Sequence, residues 1–297
     1  MTNRREFLLG SGALALASSM PALASDQPPL PTRLIPGTDE SMAIIGLGNS
    51  QAFRDGDIPT SERLLDTFLD YGGTYVDVAG GSRDVVGRIV RDRMASETTI
   101  LGNYLEAEDL PGLRAEVARL QQVQGDGPLD MSIVWDPDDL YRRADEFRAL
   151  KEEGLIRYIG IGRHNQRYYP AIIKLMEAGI VDIIQINYSM MEPESAEKVL
   201  PMAQDKGIGV LINRPFINGE YFGIVSGHTL PEWAAEFDCN SWAQFSLKYI
   251  LSHPAVNCVL TETANPKHVV DNLGAGYGAL PDEATRKSMR QVILDLA

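Results

Sequence analysis

The chain has 297 residues, 44% apolar and 23% charged, which is enough for a complete core and too hydrophobic for a disordered polymer. Its 27 basic and 41 acidic side chains give a net charge of −14, a field that repels nucleic-acid phosphates and anionic lipid. Two cysteines, Cys239 and Cys258, allow at most one bridge and show no zinc-type spacing.

Residues 1–24 carry Arg4 and Arg5 ahead of Glu6-Phe7-Leu8, then a short segment rich in small apolar residues that ends in Ala22-Leu23-Ala24. This pattern reads as a twin-arginine export signal with a small-x-small cleavage site. It is too short and too rich in glycine to span a bilayer. The expectation is a periplasmic protein, handed folded to the export machinery and not inserted in the membrane after cleavage. Residues 25–40 contain four prolines and read as a linker or lead-in.

From residue 41 onward, short apolar segments alternate with amphipathic ones. The strand candidates are Met42–Leu47, Tyr75–Val78, Thr99–Leu101, Met131–Val134, Arg157–Ile161, Asp182–Ile186, Ile208–Ile212 and Val256–Leu260. Continuous rather than alternating hydrophobicity suits parallel strands buried on both faces. Helices are expected at Ser61–Tyr71, Ser82–Arg93, Leu113–Val123, Tyr141–Glu153, Tyr169–Ala178, Ser195–Lys206, Ser241–Leu251 and Pro266–Leu273, with a last one at Asp282–Leu296. Gly154 and Gly179 stand where helices should stop. Eight such units predict one α/β domain, a TIM (β/α)8 barrel, over residues 41–297. The long connection from Pro215 to Asn240 should hang over the catalytic face.

In such a barrel the residues just past the strand ends converge on the site. They are Asn49, Asp77, Asn103, Tyr104, Trp135, Asp136, Arg163, His164, Asn187, Tyr188, Asn213, Arg214, Glu262 and Asn265. Arginines can clamp a carboxylate or pair with Asp77, Asp136 or Glu262, and Trp135 and Tyr188 offer flat apolar faces. Asp77, Asp136 and His164 follow three different strands, but their separations match no metal motif, and no metal is expected.

Several stretches in this order resemble the aldo-keto reductase superfamily over residues 41–290. They are IGLG at Ile45–Gly48, YVDVA at Tyr75–Ala79, ALKEEGLIRYIGIG at Ala149–Gly162, QINYS at Gln185–Ser189, GIGVLINRPF at Gly207–Phe216, LKYILSHP at Leu247–Pro254 and NPKHVVDNLGA at Asn265–Ala275. The resemblance implies a nicotinamide cofactor across the C-terminal face, and catalysis by an aspartate, a tyrosine, a lysine and a histidine. Asp77 matches the aspartate. Ser82 stands at the tyrosine's distance, Gly102 and Asn103 where the lysine should close the third strand, and Trp135 where the histidine should close the fourth. Gln185 matches the glutamine that contacts the nicotinamide amide, and Asn272 the asparagine near the adenine. Asn213 stands where an aromatic residue usually stacks, and Arg214 follows it. Glu262 would repel the extra phosphate of NADP(H) and accept ribose hydroxyls, so the cofactor expectation is none or NAD(H), with NADP(H) less suited.

The leading expectation is therefore an inherited pocket turned to acid–base chemistry on, or binding of, a small polyhydroxylated or carboxylated metabolite. Asp77 or Asp136 would be the base, His164 the acid, and Arg163 or Arg214 the anion clamp. Asn49, Asn103, Trp135, Asn187 and Tyr188 would contact substrate. One alternative is a divergent NAD(P)-dependent oxidoreductase in which Tyr104 or Tyr188 replaces the missing proton donor. The other is a noncatalytic solute- or protein-binding domain.

Overall fold

A computed structural model describes residues 28–297, so the export signal read in residues 1–24 falls outside it. Eight parallel strands close into a barrel: β3 (Ile45–Leu47), β4 (Tyr75–Val78), β5 (Ile100–Tyr104), β6 (Leu129–Val134), β7 (Ile156–Gly162), β8 (Ile183–Asn187), β9 (Gly209–Asn213) and β10 (Cys258–Thr261). β10 pairs back onto β3, so the barrel leaves no open edge. The expected (β/α)8 fold is what the chain forms.

Two strands precede the barrel. β1 (Thr32–Leu34) and β2 (Ser41–Ala43) pair antiparallel, so part of the segment read as a lead-in is ordered structure. Its prolines mask a strand only three residues long. Ile35 and Met42 from this hairpin join the barrel's interior core and close its N-terminal end. Arg33 ties the hairpin down by donating to the Leu251 and Val256 carbonyls, and Glu40 pairs with Arg157, which also holds Asp130 at 2.8 Å.

The helices α1 (Gln51–Asp55), α2 (Ile58–Asp70), α3 (Ser82–Asp92), α4 (Leu110–Gln124), α5 (Pro137–Arg142), α6 (Ala144–Glu152), α7 (Tyr169–Glu177) and α8 (Val199–Lys206) follow in order. After them come α9 (Glu220–Ile224), α10 (Trp242–Leu251), α11 (Pro266–Gly274) and α12 (Glu283–Leu296). Side-chain caps from Asp57, Asp109, Ser241, Asn265 and Asp282 accept the orphan amides that begin α2, α4, α10, α11 and α12. The single helix expected over Tyr141–Glu153 is broken at Arg143, where the backbone leaves helical geometry. Gly154 and Gly179 take left-handed φ of +72° and +62°, the turn that lets each helix reverse into its strand.

Strand side chains alternate between two cores. Val76, Leu101, Ile159, Ile184 and Ile212 face the helices, while Tyr75, Ile100, Tyr104, Met131, Ile133, Tyr158, Ile183, Leu211, Cys258 and Leu260 fill the barrel. Glycines make room for the interior tyrosines. A Cβ on Gly102 would lie 2.0 Å from the Tyr75 hydroxyl, and one on Gly162 would lie 2.4 Å from that of Tyr104. The two cysteines lie in separate cores as free buried thiols, Cys258 inside the barrel and Cys239 among the outer helices.

Candidate active site

A cleft of about 870 Å³ opens at the C-terminal ends of the strands. Its floor is the upward continuation of the barrel interior. Asp77 follows Tyr75 on the inward face of β4, Tyr104 ends β5, Gln185 lies on β8 and Asn213 ends β9. Trp135, His164 and Glu262 line the walls just beyond β6, β7 and β10.

Asp77 is a strongly perturbed carboxyl on the cleft floor. Burial pushes its carboxyl up to about 7, against the pull of hydrogen bonds from Gln185 and Tyr75, and Glu262 adds a smaller push in the same direction. Its partners are neutral: the Tyr75 hydroxyl donates to Oδ1 and the Gln185 amide to Oδ2, each at 3.4 Å. Residue 102, beside Asp77 in the β4–β5 register, is glycine, and the Tyr75 phenol fills the space there. Tyr104 is held well above the ordinary phenol value by burial and by Asp77, and Arg163 opposes the shift. It therefore keeps its proton at neutral pH.

The rim is aromatic. The Trp135 ring lies 5.9 Å from Tyr104 and 5.2 Å from His164, and the Arg163 guanidinium stacks 4.6 Å from Trp135 and 3.9 Å from Tyr168. Burial, with the positive charges of Arg214 and Arg163, lowers the His164 pKa, so the ring is neutral at pH 7. Across the cleft the first part of the Pro215–Asn240 connection, through Phe222, lies over the site, while Trp233 packs against Phe245 of α10. Phe216 and Phe222 face the cleft with their rings 4.9 Å apart. The turn that carries them runs through left-handed residues at Arg214, Ile217, Asn218 and Gly219.

Of the expected site residues, Asn49, Asp77, Tyr104, Trp135, His164, Gln185, Asn213, Arg214 and Glu262 share this cleft, and seven do not, Asn265 among them as the cap of α11. Asn103 points the other way, into the helix layer, where its amide exchanges hydrogen bonds of 3.2 and 2.7 Å with Gln124. Asp136 caps α5 by accepting from the Asp138 and Asp139 amides, and it lines a neighbouring groove rather than this cleft. Arg163 lies behind Trp135 and does not line the cleft. Asn187 is held by Tyr169 and Glu192, and Tyr188 by Arg286 with its ring against Tyr249. Asn272 is buried on α11 outside the lining.

Sequence reading missed Arg54, Glu106, Phe216, Phe222 and Tyr75. Arg54 on α1 pairs with Glu262 at 2.8 Å across the mouth, so that carboxylate is not bare. Tyr75 was legible in principle, because it stands two residues before Asp77 on the same strand face.

A closed parallel barrel with a polar cleft at the strand C-termini is the TIM-barrel architecture, whose active sites lie at that face. The Aldo/keto reductase family model matches residues 129–289, more than half of the chain, and the protein belongs to that family. Solved structures share the fold. The holo form of aldo-keto reductase AKR11C1 from Bacillus halodurans is 22% identical, with 90% of this chain and 96% of that one covered at a TM-score of 0.69. An aldo-keto reductase from Klebsiella pneumoniae in complex with NADPH is 20% identical, with 87% and 93% covered at 0.71. One from a Medee basin deep-sea metagenome library is 19% identical, with 87% and 94% covered at 0.68. No curated protein sequence matches the chain.

Proposed function

We propose that the chain is a divergent oxidoreductase acting on a small polar hydroxyl or carbonyl compound, with Asp77 and Tyr104 handling the proton. The observation that carries this reading is the Asp77 carboxyl, buried on the cleft floor, poised near neutrality and adjoined by a hydroxyl rather than a cation. A group whose pKa sits near the working pH can both give and take a proton. Tyr104, lining the same floor and protonated throughout the neutral range, offers a hydroxyl to a reacting oxygen.

The residues present fit the carboxamide of a nicotinamide. Gln185 Oε1 and Asn213 Oδ1 are buried acceptors without a partner among the described residues, and both belong to the cleft lining. The Asn213 orientation is fixed by its own amide, which donates to the Arg163 carbonyl at 3.0 Å. When bound, the cofactor would supply or accept the hydride. The chain's own part is to seat the carboxamide, exclude water beneath Phe216 and Phe222, and hold a proton on Asp77. The Glu262–Arg54 pair at the mouth presents a neutralised couple, which favours the unphosphorylated cofactor.

Titration calorimetry with the oxidised and reduced nucleotides, with and without the phosphate, tests this reading. The expected result is saturation by the unphosphorylated forms, the phosphorylated ones at least about tenfold weaker, and a loss of about tenfold or more in Gln185→Ala. No saturation by any form up to about 1 mM would sink the redox reading. Cofactor-free acid–base chemistry by Asp77 would then take its place, favoured by the lack, among the described residues, of any lysine or arginine hydrogen-bonded to that carboxylate.

A further inference from the structure

The side of the cleft at the ends of β7 and β9 gathers more positive charge than its neighbours neutralise. Arg163 and Arg167 lie in the turn after β7, and Arg214 follows β9. Among the described residues Glu192 is the one carboxylate paired with any of the three, to Arg214 at 3.1 Å. The His164 ring senses this field. Burial, Arg214 and Arg163 lower its pKa most, Arg167 adds to them, and Glu192 alone opposes. In a chain of net charge −14 such a local surplus is out of keeping with the whole. Acidic residues beyond a Debye length of about 8 Å are screened and do not cancel it.

The same arginines keep donors open. Arg214 lines the cleft and donates from Nη2 to Glu192, but its buried Nε and its Nη1 have no partner among the described residues. Arg163 is 8% exposed, and its Nε is likewise buried without a partner. Its guanidinium lies between Trp135 and Tyr168 rather than against a carboxylate. Cationic donors left open in a partly dry wall call for an acceptor that brings negative charge. How much charge is limited by the rest of the lining, where Glu106 and Glu262 stand with Asp77 on the floor. These carboxyls repel each charge the ligand adds, so a carboxylate suits the wall better than a phosphate with its charge of about −2.

We propose that Arg214 and His164 form a carboxylate seat on this wall, with Arg163 and Arg167 holding the wall positive from behind, and that the ligand is a small hydroxy or oxo acid of single negative charge. Glu192 is the positioning residue: it holds Arg214 by one nitrogen and offsets part of its charge. The seat itself does not depend on nicotinamide. Naming its occupant as the substrate rests on the oxidoreductase reading given under Proposed function.

The test is titration calorimetry on the chain without nucleotide, and again at saturating nucleotide where one binds. The ligands are lactate, glycerate and pyruvate, the neutral lactamide and pyruvamide, and inorganic phosphate and pyrophosphate. Lactate or pyruvate should saturate below about 10 mM and bind at least about tenfold more tightly than its own amide and than either phosphate. Arg214→Gln should remove that preference, weakening the acid about tenfold or more while the amide stays within about threefold. Glu192→Gln should act in the opposite direction and tighten the acid about threefold, a gain that a damaged fold does not produce. No saturation by lactate or pyruvate, equal affinity for acid and amide, an unchanged preference in Arg214→Gln, or weaker acid binding in Glu192→Gln overturns the proposal. Pyrophosphate bound more tightly than every acid, and lost in Arg214→Gln, assigns the arginine to a diphosphate and also overturns it. Nucleotide binding with no preference for acid over amide overturns the seat alone. Acid binding without nucleotide binding upholds the seat while the redox reading falls.

Discussion

Asp77 shows how its surroundings set the physical state of a carboxyl group. A carboxylate beside an ammonium would stay ionised, whereas here a phenol and an amide are its partners and burial lifts its pKa to about 7. The shift has a stability consequence. In the unfolded chain the group titrates near its ordinary value of about 3.9. The folded protein therefore binds this proton more tightly, and the associated stability is fully present below that value and lost as the pH rises through about 7. Asp77→Asn is neutral at every pH, so its Tm should gain a few degrees on the parent between pH 5 and pH 8. A difference between the two proteins that stays flat across that window, measured by calorimetry, would mean that Asp77 is already ionised at pH 5 and is no proton reservoir.

At the level of strands, the period of two sorts the strand-end residues. At β5, β6 and β7 the strand end offers a pair, and the member in phase with the barrel interior reaches the cleft: Tyr104 but not Asn103, Trp135 but not Asp136, His164 but not Arg163; on β8 the in-phase Asn187 is drawn away by Tyr169 and Glu192. Tyr188 is out of phase and is packed behind the barrel for the same reason. Arg214 breaks the rule because its left-handed φ of +53° turns the chain back over the mouth. Phase was legible in the sequence, and backbone reversal was not.

The β4–β5 pair carries a sharper dependence. Gly102→Ala would place a methyl 2.0 Å from the Tyr75 hydroxyl oxygen and 2.8 Å from the adjoining ring carbon, inside a closed barrel where neither strand can yield. The substitution should cost about 3 kcal/mol by denaturant unfolding. Adding Tyr75→Phe should recover part of that loss, a coupling of about 1 kcal/mol, because removing the hydroxyl relieves the closer contact. Additive losses in the double variant would show that the two positions do not share that space.

For the whole molecule, the two cores decide the chemistry of the cysteines. Burial pushes the Cys239 thiol up to about 11 and the Cys258 thiol still higher, and both are weak nucleophiles while the protein is folded. A thiol reagent should find no reactive group in the native protein and two after denaturation, and a reductant should leave Tm unchanged. A Tm that falls on reduction would reveal a bridge, which their placement in separate cores forbids.

The sequence by itself determined the repeating strand–helix order, the closed parallel barrel and the family. These depend on local periodicity, cap residues and turn glycines, each written within a few neighbouring positions. It also marked most of the cleft, since strand ends in a barrel converge wherever the strands lie. Only the tertiary structure decided that Arg54 meets Glu262 and that Tyr75 fills the space beside Gly102. It alone paired Asn103 with Gln124, put Arg163 behind Trp135, and folded Thr32–Leu34 back to close the barrel floor. Those facts are contacts between residues far apart in the chain. No local pattern records them, and they come into being only when closure of the barrel brings the strands face to face.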